Sequence, residues 1–146
     1  MAGKTKTDFR KSAGIIVFRT REGRREYLLL EYGDDGHWDY VKGGIESGEN
    51  EKQAALRELR EETGLADARL IDGFRETLHY FFREKNRLIS KTVVFFLGEA
   101  PAGASVRLSS EHSRFVWLPF EKAIEKATFK NAKEMLRKAE EVLKGK

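Results

Sequence analysis

From Asn50 to Leu65 the chain reads NEKQAALRELREETGL, and this stretch constrains the fold more than any other. Asn50 is a good helix cap, and Gln53 three positions on completes a capping box. Gly64 suits the left-handed position just past a helix end, with Leu65 folding apolar contact back over the last turn. These signals predict a helix over residues 51–63. At about 100° per residue, Glu51, Glu58, Glu61 and Glu62 share one arc roughly 100° wide. Ala55, Leu56, Leu59 and Thr63 fill the neighbouring arc, and Arg57 and Arg60 fall on the far side. Such a helix works against itself. The like-charge pair Glu58 and Glu62, four residues apart, costs about 0.2–0.5 kcal/mol, and acids toward the C-terminal end oppose the helix dipole. A divalent cation removes the conflict, and oxygen ligands on a rigid helix suit Mg²⁺ or Mn²⁺. The plainer alternative is a solvated acidic face in a chain that is 36% charged.

Strands are predicted on both sides of this helix. Ala13–Phe18 reads as a buried strand, and Glu26–Glu31 as its hairpin partner across the turn at Arg21–Gly23. His37–Val41 reads as a short extended piece, and Lys42–Gly48 as a glycine-punctuated loop. Further strands are expected at Arg69–Asp72, Arg75–Arg83, Ser90–Leu97 and Phe115–Leu118, with a turn at Glu84–Arg87. Phe120–Lys144 carries apolar residues at helical spacing. Residues 1–11 read as a flexible basic arm, and 12–146 as one domain of α/β sandwich type.

The totals exclude several classes. The 146 residues contain no cysteine, so a disulfide framework and a thiolate metal site are both ruled out. The longest apolar runs are far too short to span a bilayer, and MAGKTKTDFRK has no apolar segment behind its basic residues. A cytoplasmic monomer without a membrane partner is expected. The net charge of +4 is compatible with anionic partners, but solubility alone explains it equally well.

The segment from Gly43 to Leu65 resembles the Nudix box: a glycine, five residues, a glutamate, seven residues, Arg-Glu-aliphatic, one residue, Glu-Glu, one residue, Gly-aliphatic. Gly43, Glu49, Arg57, Glu58, Leu59, Glu61, Glu62, Gly64 and Leu65 fill every defined place. The order of strands and helices is also similar to the Nudix α/β/α sandwich with a mixed β-sheet. The resemblance implies hydrolysis of a nucleoside diphosphate linked to another group. It implies Mg²⁺, with Mn²⁺ as a substitute, held by Glu58, Glu61, Glu62 and the Gly43 carbonyl. It implies that Glu49 pairs with Arg57 and braces the loop against the helix.

Outside the box, the chain resembles the asymmetric bis(5'-nucleosyl)-tetraphosphatases within that family. The likeness is carried by Gly73–Tyr80, Lys91–Val93, Leu108–His112, His37-Trp38 and Trp117-Leu118. It implies a base platform at Tyr80, a second stacking ring at Phe129, and phosphate contacts from Lys42, Lys91 and His37. It also implies a late acid, Glu111, that joins the metal site or acts as general base. The substrate implied is diadenosine tetraphosphate or a related nucleotide. An RNA 5'-end pyrophosphohydrolase remains an alternative, as does a Nudix-fold module that binds nucleotide or RNA without cleaving it. One departure is Val41, where that group usually carries proline before Lys-Gly. By pattern alone Tyr80 serves equally well as core, Phe129 as helix packing, Trp38 and Trp117 as core, and His79 and His112 as structural or surface groups.

Overall fold

The computed structural model describes residues 7–33 and 35–145. Eight strands, β1 (Thr7–Arg21), β2 (Arg24–Tyr32), β3 (His37–Asp39), β4 (Val41–Gly44), β5 (Arg69–Leu70), β6 (Glu76–Glu84), β7 (Arg87–Glu99) and β8 (His112–Leu118), form one sheet. The helices are α1 (Glu51–Thr63), α2 (Phe120–Lys126) and α3 (Lys130–Lys144). β1 and β7 run parallel, with Ile15 opposite Phe96, and the remaining pairings are antiparallel. The sheet is therefore mixed, as expected. Among the described residues no helix is long and apolar enough to cross a membrane.

Side chains alternate along β1 and divide the core in two. Ala13, Ile15 and Val17 face α1, where they join Ala54, Ala55 and Leu59. Ile16 and Phe18 face α2 and α3, where they join Ala123, Met135, Leu136 and Ala139. Gly14 is required where three strands meet, since a Cβ there would lie 2.6 Å from the Phe95 ring and 2.7 Å from the Val41 carbonyl.

Three expectations change. Of the arm expected over residues 1–11, residues 1–6 lie outside the described residues, and Thr7–Lys11 belong to β1. They pair with Leu88–Thr92 of β7, and ion pairs Arg10–Glu84 (2.6 Å) and Arg87–Asp8 (3.0 Å) tie them to the β6–β7 hairpin. Lys42, Gly43 and Gly44 form strand β4, paired with Gly14, Ala13 and Ser12 of β1, instead of opening a loop. The helical tail breaks at Ala127–Phe129. There the Thr128 N–H donates to the Trp38 carbonyl (3.1 Å), and the Trp38 N–H donates to Thr128 Oγ1 (2.8 Å). This exchange docks the break on β3 and brings Phe129 beside His37.

Candidate active site

The helix α1 presents the acids as a rigid unit. Gln53 N–H donates to Asn50 Oδ1 (2.8 Å), and Asn50 N–H donates to the Gln53 side chain (2.9 Å). Gly64 ends the helix at φ 76°, a left-handed conformation that favours glycine. Leu59, Ala54 and Ala55 are fully buried and seat the helix on the sheet. Two orphan carbonyls at its C-terminal end are used by the chain that follows β7. Arg107 N–H donates to Thr63 O (2.7 Å) and Ser109 N–H to Glu62 O (3.1 Å). These bonds deliver Glu111 and His112 to Glu62.

Glu58 lies against Gly43 of β4: a Cβ at Gly43 would sit 2.1 Å from its carboxyl carbon. Any larger residue there would push the Glu58 carboxylate away. The Glu62 side chain is 5% exposed, with Oε1 2.6 Å from His112 Nε2. Its Oε2 is buried with no hydrogen-bond partner among the described residues. Burial, then the close approach and charge of the Glu58 carboxylate and the charge of Glu111, hold the Glu62 carboxyl well above the usual carboxylate range, against the lowering effect of Tyr32. Ligating atoms of Glu62, Glu111 and His112 lie within 4.8 Å of one another. Glu111 is the exposed member and His112 is buried. An orphaned buried carboxylate oxygen, a second carboxylate beside it and the Gly43 cradle fit a hard divalent cation.

Arg57 holds this arrangement from one side. It reaches Glu49 (2.6 Å), Glu58 (3.0 Å), Glu61 (3.2 Å) and the Gly44 carbonyl (2.8 Å). Glu49 also accepts from the Glu46 N–H (2.9 Å), bracing the turn between β4 and α1. The Arg57 guanidinium, followed by that N–H, lowers the Glu49 pKa. Glu61 is turned outward, 54% exposed, against Arg57. It stands apart from the Glu62–Glu111–His112 group. Glu51 is also engaged elsewhere, with Lys11 (2.6 Å) and Arg75 (2.9 Å).

A cleft of about 530 Å³ opens beside the acids, lined by His37, Lys42, Leu78, Tyr80, Phe129, Lys130 and Asn131. It therefore gathers four of the five residues expected to bind substrate. The fifth, Lys91, is the cross-strand partner of Tyr80. Burial, then the charges of Lys42 and Arg10, lower the Lys91 pKa. Phe129 is 48% exposed at the start of α3, so it is available to a ligand and not absorbed into helix packing. His37 stacks on Tyr32 (ring centroids 5.3 Å, planes 9° apart) and leans on Phe129 (5.1 Å). Tyr32 in turn meets His112 edge-on (4.3 Å), so cleft and acid cluster share a wall.

Sequence reasoning missed His112 and Tyr32. His112 follows Glu111 directly, but its burial depends on β8 pairing with β2, which spacing does not show. Arg57 was expected on the far side of the helix, yet its long side chain curls back to Glu58 and Glu61.

Comparison with known proteins places the fold in a family. The NUDIX domain family matches residues 8–139. The chain is 38% identical over 143 residues to an asymmetrical bis(5'-nucleosyl)-tetraphosphatase of Mus musculus, covering 91% of this chain and 95% of that protein. A Caenorhabditis elegans protein of the same description is 34% identical, covering 92% and 97%. The crystal structure of a C. elegans Ap4A hydrolase binary complex superposes with a TM-score of 0.84 at 33% identity, over 94% of this chain and 99% of that one. Matched by the NUDIX family model over residues 8–139 and by relatives and a solved structure across nearly its whole length, this chain belongs to the Nudix hydrolase family.

Proposed function

We propose that the protein, acting as a monomer, hydrolyses a dinucleoside polyphosphate, diadenosine tetraphosphate in the first instance, to ATP and AMP with Mg²⁺ as cofactor. The observation that carries this reading is the buried Oε2 of Glu62, unpartnered among the described residues, beside a cleft that combines aromatic rings with lysines. Names of the relatives above support the substrate, since two are bis(5'-nucleosyl)-tetraphosphatases.

Glu58, Glu62, Glu111 and the Gly43 carbonyl would hold Mg²⁺ or Mn²⁺, with Glu61 joining after a rotamer change. When bound, the cation neutralises the phosphate chain and lowers the pKa of attacking water. Tyr80 and Phe129 stack a base, an interaction worth about 1–3 kcal/mol and tolerant of base identity. Lys42, Lys91 and His37 neutralise and orient phosphate oxygens. Glu111, open to solvent, accepts the proton of the water as its oxygen bonds to phosphorus. The bridging anhydride bond then breaks, and the departing oxygen leaves with ATP or AMP. Arg57 and Glu49 take no part in proton transfer but keep Glu58 and the β4–α1 turn in place.

The test is incubation of the protein with diadenosine tetraphosphate, with and without Mg²⁺, and separation of the products. Equimolar ATP and AMP, formed only with Mg²⁺, support the reading. Two molecules of ADP contradict it. Release of pyrophosphate from 5'-triphosphorylated RNA, with diadenosine tetraphosphate left intact, replaces it with the RNA alternative.

A further inference from the structure

We infer that His112 is a positioning residue that locks the Glu62 carboxylate in the rotation presenting Oε2 to a divalent cation. This rests on the proposed metal role of Glu62. The terminal torsion of a glutamate is soft, so a lone carboxylate samples many rotations. Here one oxygen is committed: Oε1 lies 2.6 Å from His112 Nε2. Tyr32 is the other neighbour, 3.4 Å away, but its single O–H donates to the Tyr40 carbonyl at 2.6 Å. Once Glu62 ionises on taking up a cation it can only accept, and the Nε2-protonated imidazole of His112 is then the donor that fixes Oε1. His112 Nδ1 has no hydrogen-bond partner among the described residues. The ring itself is held by the Tyr32 edge contact and is fully buried on its side chain.

The fold spends a β-bulge to achieve this. Leu30 pairs with Phe115, but Tyr32 pairs with His112, so Ser113 and Arg114 together oppose Glu31. In regular pairing Tyr32 would meet Ser113, and His112 would point to the opposite face. Both bulge residues are pinned to Glu31. Ser113 Oγ–H donates at 2.6 Å, and Arg114 donates at 3.0 and 2.7 Å. The extra residue therefore turns His112 inward onto Glu62.

Two substitutions of equal polarity but different reach separate positioning from packing. His112→Gln can place an amide N–H where Nε2 lies, whereas His112→Asn is too short. Mn²⁺ affinity, read by electron paramagnetic resonance on protein without substrate, is compared with melting temperature. Outer-shell partners of ligands typically change metal affinity about 10–100-fold. His112→Asn is expected to weaken Mn²⁺ by about that range, with His112→Gln within about threefold of wild type and both melting alike. Equal Mn²⁺ affinity in the two variants overturns the inference while leaving the metal reading intact. Absence of any saturable Mn²⁺ binding in the wild-type protein overturns the metal reading itself. If neither His112 variant folds, Glu31→Gln decides, because it unpins the bulge from outside the cluster. Weaker Mn²⁺ binding supports the inference, and wild-type affinity overturns it.

Discussion

Gly43→Ala inserts one methyl group between β4 and α1. The new Cβ would lie 2.1 Å from the carboxyl carbon and Oε1 of Glu58 and 2.5 Å from Oε2. Ordinary contact begins at 3.4 Å, so the carboxylate must retreat by more than about 1 Å. It is the far end of a flexible side chain and can move. The backbone of Gly43 is ordinary strand, so alanine adds no strain there. Stability should therefore change little, by about 1 kcal/mol or less. Catalysis should suffer far more, because a displacement of about 1 Å costs on the order of 10²-fold, or about 2.7 kcal/mol of transition-state stabilisation. Gly44→Ala is the matched control: a Cβ there meets nothing within 4 Å. The assay is Mg²⁺-dependent cleavage of diadenosine tetraphosphate, followed chromatographically, beside thermal melting of all three proteins. A Gly43→Ala enzyme within threefold of wild type, or equal losses in both variants, refutes the reasoning.

Other perturbations have defined outcomes. Arg57→Lys keeps the charge but loses the fork that spans Glu49, Glu58 and the Gly44 carbonyl. Turnover should fall about tenfold and stability by about 1–3 kcal/mol, measured by steady-state kinetics and chemical denaturation. Tyr80→Ala and Phe129→Ala should each raise KM by the equivalent of about 1–3 kcal/mol of lost stacking, with kcat nearly unchanged under saturating substrate. Glu51 has its pKa lowered from 4.5 to about 2 by hydrogen bonds from Arg75 and then Lys11. Its folded pKa is depressed, so its stabilising contribution is present above 4.5 and is lost as pH falls through about 2. Exposure of both partners limits the effect to about 1 kcal/mol. Glu51→Gln should flatten the denaturation midpoint over this range, and an unchanged acid limb would show that the pairs contribute nothing.

The helix and its acids were legible in the sequence because their signals are local. The capping box, Gly64 and the glutamate spacing all lie within α1 or at its ends. Strand β4 was not, because Lys42-Gly43-Gly44 shows no alternation and becomes a strand only by pairing with β1. The start of β1 reads as a basic arm, yet its Arg10 and Asp8 are paired with Glu84 and Arg87 of the β6–β7 hairpin. The break at Ala127–Phe129 is fixed by Thr128 bonding to a tryptophan ninety residues earlier, which no helical periodicity can report. The same holds at the site. Motif spacing singles out Glu49, Arg57, Glu58 and Glu62, but treats Glu61 and Glu62 alike, although one is exposed and the other buried. His112 escaped because one bulge decides which face it occupies.

The central claim is that Gly43, Glu58 and Glu62 form a cation site at the edge of the nucleotide cleft. Anomalous X-ray scattering from crystals soaked in Mn²⁺ tests it most directly. The account predicts a manganese peak at coordination distance from the Gly43 carbonyl, Glu58 and Glu62 Oε2. A peak held only by Glu61 and solvent, or none at a concentration that supports turnover, contradicts it.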